Sequence, residues 1–277
     1  MPELPEVETI IRGLRPAAEG ATIERVVVHR ADVVRVGRAV MSRSLAGRTI
    51  ESLGREGKRI LFHMSGGATL VIHLGMSGRL TLEPRNASLV KHTHVRIQLA
   101  REPQEIRFRD PRRFGGLWYF PTSDDMRRAE FERLGPDALT IRVPVLRDLA
   151  RRKRQIKALL LDQHAISGLG NIYCDEALFS SRIHPLTPAS SLSESQIRNL
   201  ACSIRKTLHA SLNSGGSTLM DYRQADGTEG RFQSLFRVYA REGEPCGRCG
   251  ATIECIVAAG RSTHFCPACQ CRTRRSC

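Results

Sequence analysis

Two pairs of cysteines near the end of the chain have the spacing of a metal site. In chain order they are Cys246 with Cys249 and Cys266 with Cys269, and sixteen residues separate the pairs. Each C-x2-C pair can hold an ion from a tight turn, and two pairs complete the tetrahedron of thiolates that zinc favours. Since four protein ligands leave no open position on the metal, the spacing predicts one structural zinc ion.

The remaining cysteines do not suggest disulfides. Seven of the nine cysteines lie after residue 245, and an odd, clustered set is not typical of a disulfide framework. Cys174 and Cys202 lie in apolar helical patterns, which favours buried thiols. The others, Cys255, Cys271 and Cys277, receive no role.

An arginine lies between the two cysteine pairs. The segment "TIECIVAAGRSTHF" (252–265) predicts two strands joined by a turn, with Arg261 near the tip. A surface arginine is ordinarily a solvated charge. A rigid hairpin in a basic protein instead favours a contact between this arginine and a phosphate group.

A glycine-rich turn could bind a second phosphate. In "HAISGLGNIYCDEAL" (164–178), Gly168 and Gly170 separate two helical patterns, and Asn171 begins the second. Backbone N–H groups at such a turn and helix start can bind an anion. Alone the pattern is weak, because any two helices joined by a turn could share it. The preceding "RRKRQIK" (151–157) adds cations, which favours a DNA phosphate.

The charge of the whole chain agrees with these interpretations. Lysine and arginine total 43 against 28 acidic residues, a formal net charge of +15. A solubilising surface usually needs only about 2 to 8 net charges in a small domain, so a nucleic acid is the favoured partner. The 277 residues suffice for two domains, and no apolar run approaches the roughly 20 residues of a membrane span. The start also lacks the pattern of a secretory signal, which predicts a cytoplasmic protein, in the nucleoid if bacterial.

The elements that must position these residues fall into two kinds. Residues 22–120 predict an antiparallel sandwich or barrel, because short β-branched segments alternate with Gly and Pro clusters. A helix over 5–15, ended by Pro16, precedes them. The strand segments are "ATIERVVVHRADVVRV", "RILFHM", "TLVIHLGMSGRLTLE", "HVRIQLA" and "EIRFRD".

Helical patterns follow a connection at 134–145. Residues 145–163 predict one basic amphipathic helix, and 171–181 and 193–216 predict two more. Ser193 and Gln196 form a capping box for the last of these. The Gly- and Asp-rich residues 215–232 predict a mobile loop.

The first residues, "MPELPEVETIIRGLRP", are acidic and proline-rich within a basic chain. Pro5, Glu6 and Glu8 suit the first turn of a helix. Pro2 and Glu3 precede that helix and need another explanation.

Seven motifs in one order strongly resemble the bacterial formamidopyrimidine-DNA glycosylases. The resemblance runs from residue 2 to about residue 270, and its first and last motifs are specific to the superfamily. The "PELPEVET" start favours the branch that acts on purine lesions over the endonuclease VIII branch. The motifs are "PELPEVET" (2–9), "KR" (58–59), "HLGMSGRL" (73–80), "KHTHV" (91–95), "DPRRFG" (110–115), "GLGNIY" (168–173) and "GRSTHFCPACQ" (260–270).

The resemblance implies an α+β multidomain fold. Residues 1–134 would form an N-terminal helix plus an antiparallel β-sandwich that carries catalysis. Residues 135–235 would form a helix–two-turn–helix DNA-binding domain with a lesion-covering loop at about 217–232. Residues 236–277 would form a β-hairpin zinc finger and a basic tail, to which we assign non-specific DNA affinity at most.

The resemblance also explains the acidic start. After removal of Met1, Pro2 would carry a secondary α-amine that is partly neutral at pH 7 and can form a Schiff base with a sugar carbon. In the family this nitrogen attacks C1′, the damaged base leaves, and β- then δ-elimination cuts the strand. By motif match Glu3 transfers protons and Glu6 orders the sugar.

Further roles follow from the same match. Lys58 assists β-elimination and contacts phosphate, and Arg261 assists δ-elimination and contacts phosphate. His73 is a weaker phosphate candidate. The other DNA-contacting positions are His92, Arg112, Lys153 and Asn171.

A chemically modified base must leave the stack, so a filler for the vacated space is implied. By motif match this wedge is Met76, Arg112 and Phe114. Met76 and Phe114 could otherwise be core residues, but Gly75 and Gly78 favour an exposed turn around Met76.

These features together predict a monomeric, zinc-containing DNA glycosylase and AP lyase of base excision repair. It would act on double-stranded DNA that contains 8-oxoguanine, formamidopyrimidines or abasic sites. One alternative is a glycosylase for oxidised pyrimidines. Another is a non-catalytic zinc-finger DNA-binding protein, which accounts for the charge, the helix pair and the finger but not for Pro2 and Glu3.

Overall fold

The computed structural model describes residues 2–129 and 134–271. They divide into two compact units. The first contains Met1–Arg133 and Ser214–Arg231, and the second contains Leu134–Asn213 and Phe232–Cys277. Met1 and the basic tail over 272–277 lie outside the described residues, as do the predictions made for them.

The first unit contains two four-stranded antiparallel sheets, which confirms the predicted sandwich. The strands are β1 Ile23–Val28, β2 Ile50–Glu56, β3 Arg59–Met64, β4 Thr69–His73, β5 Arg79–Pro84, β6 Thr93–Leu99, β7 Gln104–Arg109 and β8 Gly116–Phe120. The first sheet has the order β1, β6, β7, β5, and the second has the order β2, β3, β4, β8. Alternating β-branched and aromatic side chains from both sheets form one core, for example Ile60, Phe62, Ile72, Val95, Ile106 and Phe108.

Helix α1 (Leu4–Ala18) packs on this core through an apolar stripe. Val7, Ile10 and Leu14 recur at helical spacing and are fully buried, as the sequence predicts. The predicted end at Pro16 is wrong, because the helix continues to Ala18. Proline removes one N–H donor in the last turn, and the N–H of Glu19 still closes that turn on the carbonyl of Arg15 at 3.1 Å.

Two short helices were not predicted in this unit. Helix α2 (Arg38–Leu45) packs on β1, and helix α3 (Ser123–Arg128) is capped by the Thr122 hydroxyl. Helix α2 buries only Met41 and Leu45, so its apolar stripe is a single pair of residues and is too short to be recognised from periodicity.

The second unit contains four described α-helices and a two-stranded hairpin. The elements are α4 Val143–Ala150, α5 Ile156–Leu161, α6 Asn171–Ser180, α7 Glu194–Asn213, β9 Glu254–Ala258 and β10 Arg261–Phe265. The predicted capping box of α7 is present, since Ser193 N–H donates to Gln196 Oε1 at 2.9 Å and Gln196 N–H donates to Ser193 Oγ at 3.3 Å. No helix of the described part is long and apolar enough to span a membrane.

The single helix predicted over 145–163 is wrong, because α4 and α5 are separate. The exposed residues 151–154 turn between them. The backbone of this turn pairs with a distant segment instead of continuing a helix: Ile156 N–H donates to the Thr187 carbonyl at 2.8 Å, and Ala189 N–H donates to the Arg154 carbonyl at 2.8 Å. Long-range backbone pairing therefore replaces helical hydrogen bonds here.

Candidate functional site

The start of α1 places Pro2 and Glu3 in a buried position. Glu3 is the N-cap residue, and its carboxylate accepts the backbone N–H of Glu6. In return, the Glu3 N–H donates to Glu6 Oε2 at 2.9 Å. Both carboxylates are almost fully buried and lie at the positive end of the helix, which stabilises negative charge. The first turn therefore holds two ordered carboxylates at the helix start that directly follows Pro2 in the chain.

Glu6 also holds the segment that was predicted to cover the lesion. Its second oxygen, Oε1, accepts the Ser217 N–H at 2.8 Å and the Ser217 hydroxyl at 3.0 Å. Tyr222 is buried nearby and donates its hydroxyl to the Gly215 carbonyl at 3.1 Å. Burial and the Glu6 carboxylate both raise the pKa of Tyr222 far above its usual value, so this hydroxyl stays protonated.

The contacts that hold residues 214–231 against α1 and β5 were not predicted from the sequence. Leu82 N–H donates to the Ala225 carbonyl at 2.7 Å, and Arg79 pairs with Asp221 at 3.4 Å. Gly13 in α1 faces the same segment, and a Cβ there would lie 2.7 Å from Ala225 Cβ. A glycine in the middle of a helix permits another segment to approach closely, so Gly13 is the residue from which this contact could have been predicted.

Lys58 and His73 lie at one end of the second sheet. Lys58 is in the turn between β2 and β3, and Arg59 pairs in register with His73. Glu8 of α1 bonds Arg55 at 3.2 Å, so the N-terminal half of α1 approaches this turn. The first unit therefore brings Lys58 and His73 to the end of the sheet that α1 approaches with its N-terminal half.

His73 is neutral in this position. Burial lowers its pKa to about 4, and the cations of Arg59 and Lys58 act in the same direction. Its Nδ1 accepts the Gly75 N–H at 3.3 Å. At pH 7 His73 therefore carries no positive charge.

The three residues predicted as a wedge lie in two adjoining loops, after β4 and before β8. Met76 is 39% exposed and Phe114 is 56% exposed, so both are surface residues and not core. The Arg112 guanidinium carbon lies 4.7 Å from the centroid of the Phe114 ring. Two exposed apolar side chains beside a stacked cation form a surface suited to insertion between bases.

His92 precedes β6 and has a φ of +70°, which is uncommon for a residue other than glycine. Burial lowers its pKa, and the neighbouring cation of Lys91 lowers it further. Its ring lines an open cavity of about 440 Å³ together with basic residues of the same unit. The cavity lining is His29, Arg30, His92, Thr93, His94, Pro111 and Arg113.

Lys153, Asn171 and Arg261 belong to the second unit. Lys153 is exposed in the turn between α4 and α5. Asn171 is the first residue of α6, and its Nδ2 donates to the Ser262 carbonyl at 2.8 Å. The helix start is thus tied directly to the residue that follows Arg261.

Arg261 begins β10 immediately after the hairpin turn and is exposed. The turn residues Ala259 and Gly260 have φ values of +52° and +68°. A buried pair that sequence reasoning missed holds the strand: Asp175 accepts Lys157 Nζ at 2.6 Å and the His264 N–H at 2.9 Å. Asp175 is buried in α6 next to a second buried carboxylate, Glu176, and acidic residues inside an apolar helical pattern were the signal for such partners.

The four predicted zinc ligands lie together. Their sulfur atoms all lie within 4.8 Å of one another, with Cys249 Sγ 3.5 Å from Cys266 Sγ and Cys246 Sγ 4.0 Å from Cys269 Sγ. Within each C-x2-C turn a backbone N–H points at the first sulfur. Four thiols that converge with N–H donors around them fit a zinc ion.

Replacement of one zinc ligand should weaken DNA binding before it unfolds the chain. Cys249→Ser removes an exposed thiolate, so the hairpin that carries Arg261 should lose its order while the β-sandwich stays folded. Cys255→Ser is the matched control, because Cys255 lies on the same hairpin outside the cluster. We expect about one zinc per chain in the control and a clear loss in Cys249→Ser, measured by metal analysis and DNA titration. Equal zinc content and affinity in both variants would contradict the ligand assignment.

Three family models match this chain. Residues 1–117 match the formamidopyrimidine-DNA glycosylase N-terminal domain, and residues 134–223 match the formamidopyrimidine-DNA glycosylase H2TH domain. Residues 243–271 match a zinc finger found in FPG and IleRS. The order of these matches is the order of the predicted catalytic domain, helix–two-turn–helix domain and finger.

Curated relatives and solved structures agree. A formamidopyrimidine-DNA glycosylase of Thermus thermophilus is 46% identical over 275 residues, 98% of each chain. One of Lactiplantibacillus plantarum is 40% identical over 96% of this chain and 98% of the relative. The Lactococcus lactis Fpg in complex with abasic-site DNA has a TM-score of 0.90 at 34% identity, covering 97% of this chain and 99% of that one.

These findings define the class of the protein as a DNA glycosylase of base excision repair. It carries one structural zinc in its finger. The chain belongs to the formamidopyrimidine-DNA glycosylase family. The predictions of the α+β fold, the glycosylase class and the zinc are thereby confirmed.

Proposed function

We propose that this protein removes oxidised purines from double-stranded DNA and then cuts the strand at the resulting abasic site. The observation that carries the proposal is the buried start of α1, where Pro2 and Glu3 are both buried and Glu3 forms a capping box with Glu6. If the acidic residues at the start of the chain were ordinary surface residues, they would be neither buried nor joined by reciprocal hydrogen bonds.

The Pro2 nitrogen is the proposed nucleophile. Once Met1 is removed, this secondary amine attacks C1′ of the damaged nucleotide, and the bond from C1′ to the base breaks. The sugar ring opens to give a cationic iminium between the Pro2 nitrogen and C1′. Its positive charge accepts the electrons released by proton loss from C2′, so the C3′–O bond breaks and the 3′ phosphate leaves. Proton loss from C4′ then breaks the C5′–O bond, and the 5′ phosphate leaves as the second elimination product.

Acid–base roles follow from the local geometry. Glu3 adjoins the nucleophile, and we assign to it the proton transfers at the sugar and the departing base. Glu6 keeps Glu3 and Ser217 in place and orders the sugar. Lys58 assists β-elimination and Arg261 assists δ-elimination, each also binding a phosphate.

We propose DNA contacts in each of the two units. His73, His92 and Arg112 are proposed for the first unit, and Lys153 and Asn171 for the second. The net charge of +15 supplies the general attraction to the phosphate backbone. The wedge of Met76, Arg112 and Phe114 would fill the space that the everted nucleotide leaves.

Oxidised pyrimidines are a second candidate substrate class. A Lactococcus lactis Fpg has been crystallised with DNA that contains an oxidised pyrimidine, and another complex of that protein contains Fapy-dG. We place purines first because the "PELPEVET" start resembles the purine branch. A non-catalytic zinc-finger DNA-binding protein would not explain why Pro2 and Glu3 are buried.

We further propose that the protein is a monomer that acts in the bacterial cytoplasm, where its chromosomal substrate lies. The three-part division at 134/135 and 235/236 remains our proposal for the domains. Residues 214–231 belong with the sandwich by packing, whichever domain they are assigned to.

Borohydride trapping tests the proposed function. We expect a covalent adduct with a duplex that holds 8-oxoguanine opposite cytosine, and peptide mass analysis should place it at Pro2. Duplexes with 5-hydroxycytosine or thymine glycol should trap more slowly. Faster trapping on the pyrimidine duplexes would favour the second substrate class, and no adduct on any of these or on abasic DNA would overturn catalysis through Pro2.

A further inference from the structure

We propose that Asp110 is a positioning residue that holds the two wedge loops in the conformation needed for insertion into the DNA stack. The inference rests on the proposed function, because it concerns the step in which the damaged nucleotide is everted. Asp110 directly follows the strand β7 and is fully buried. It has no place among the residues that bind DNA or carry the chemistry.

The Asp110 carboxylate joins the two loops. Its Oδ1 accepts the Ser77 hydroxyl at 2.5 Å, and its Oδ2 accepts the Gly115 N–H at 2.7 Å. Ser77 directly follows Met76, and Gly115 directly follows Phe114. One buried carboxylate therefore fixes the residue next to each apolar wedge side chain, through hydrogen bonds of the strong, charge-assisted kind.

The third wedge residue, Arg112, is held by the hydrogen-bonded pair of Ser77 and Asp110. The Ser77 oxygen accepts the Arg112 N–H at 3.2 Å while its own hydrogen is donated to Asp110. Ser77 is 1% exposed, so water does not compete for this chain of hydrogen bonds. Met76 thus adjoins Ser77 in the chain, Arg112 is hydrogen-bonded to Ser77, and Phe114 adjoins Gly115, which is hydrogen-bonded to Asp110.

The Asp110 backbone is also hydrogen-bonded to two residues with strained backbone conformations, His92 and Arg113. Its N–H donates to the His92 carbonyl at 3.2 Å, and its carbonyl accepts the Arg113 N–H at 3.2 Å. His92 and Arg113 both have positive φ, +70° and +57°. Such conformations persist only where the surroundings over-determine them, and they concentrate at functional sites. The His94 ring also bonds the Asp110 carbonyl at 2.8 Å and completes the arrangement.

The two loops are packed too closely to move independently. A Cβ on Gly75 would lie 2.5 Å from the Phe114 carbonyl carbon, and a Cβ on Gly115 would lie 2.6 Å from the His73 carbonyl oxygen. Gly75 also has a φ of +63°. The wedge is therefore one unit of two loops, and Asp110 is the charged group at its centre.

A pre-organised wedge lowers the cost of insertion, because the loops need not be ordered at the moment the base leaves the stack. Loss of the carboxylate should slow insertion and leave the chemistry at the open sugar unchanged. Asp110→Ala should slow insertion about tenfold or more, because two buried donors lose their acceptor. Asp110→Asn keeps one acceptor oxygen and should fall between wild type and Asp110→Ala.

The experiment places 2-aminopurine next to 8-oxoguanine in a duplex and follows its fluorescence by stopped flow, together with single-turnover excision. Strand cleavage at a ready-made abasic site is measured in parallel. We expect Asp110→Ala to slow the fluorescence step and excision together, with cleavage at the abasic site within about twofold of wild type. Ser77→Ala should show the same pattern to a smaller degree.

Two comparisons separate positioning from a general loss of stability. Glu105→Gln is the matched control, since Glu105 is another fully buried carboxylate of the same unit, bonded to Arg96 and Arg107. It should lower the melting temperature without changing the ratio of excision to abasic cleavage. In a Phe114→Ala background, Asp110→Ala should slow the fluorescence step less than it does in the wild-type background, because one of the three wedge residues that it positions is already absent.

Either of two results would overturn the proposal. One is an equal loss by Asp110→Ala on the lesion and abasic substrates, which would show a structural role only. The other is an undiminished effect in the Phe114→Ala background. Absence of cleavage at abasic sites by the wild type would instead contradict the proposed function itself.

Discussion

Protein that retains Met1 is expected to bind lesion-containing DNA but to release no base and to cut no strand. In such a chain the Pro2 nitrogen is part of a peptide bond, whose planar, delocalised lone pair is not nucleophilic. The side chains of Glu3, Lys58 and Arg261 are unchanged, so DNA binding should persist. The expected loss in single-turnover cleavage is complete within detection.

The comparison needs two preparations of one sequence. One carries an uncleaved N-terminal extension, and the other has been processed to begin at Pro2, as verified by intact mass. Binding to an 8-oxoguanine duplex and cleavage of that duplex and of abasic DNA are measured for both. Full cleavage by the blocked preparation, with no processed chain detectable, would refute the assignment of the Pro2 amine as nucleophile.

Glu3→Gln should lose excision of an intact lesion and keep much of the strand cleavage at a ready-made abasic site. Breaking the glycosidic bond needs protons delivered to the opening sugar or departing base, help that is worth about 10² to 10⁴ in rate. An abasic site has already lost its base and exists partly as the aldehyde, so its condensation with Pro2 needs less assistance. Glutamine retains an oxygen that can accept the Glu6 N–H of the capping box, so the helix start should persist.

Paired single-turnover cleavage of lesion and abasic duplexes measures this split. Glu8→Gln is the matched control, because Glu8 lies on the same helix and pairs with Arg12 and Arg55 away from the helix start. It should leave both rates near those of wild type. If Glu3→Gln slows both substrates equally, Glu3 serves a common step or the fold, and its assigned role is wrong.

Features that depend on local spacing could be predicted from the sequence. The zinc cluster is an example, because each C-x2-C turn brings its own two thiols together and only one hairpin must close. The same holds for the capping box at Ser193 and for the alternating strands of the sandwich. The roles of Pro2 and Glu3 came from resemblance, since nothing in their local pattern distinguishes a nucleophile from an ordinary helix start.

The organisation of the site depends on contacts between distant residues, and the sequence pattern carries little trace of them. Glu6 binds Ser217 across 211 positions, and Asp110 binds Ser77 across 33. A carboxylate at either position is equally compatible with a solvated surface until the fold removes water from it. Periodicity reports only which side of an element is apolar, so it could not show which buried donors would meet these oxygens.

The basic segment at 145–163 shows the same limit for secondary structure. Its apolar residues recur at helical spacing on both sides of the turn, and this local pattern predicts one helix. Only the tertiary structure supplies the backbone partners near 187–189 that make two helices and an exposed basic turn the favoured arrangement. By itself the sequence determined the zinc ligands, the sandwich pattern and the family motifs. Only the tertiary structure decided the conformations of the α1 start, residues 214–231 and the wedge. They depend on long-range hydrogen bonds in a buried interior, where an unpaired donor costs free energy.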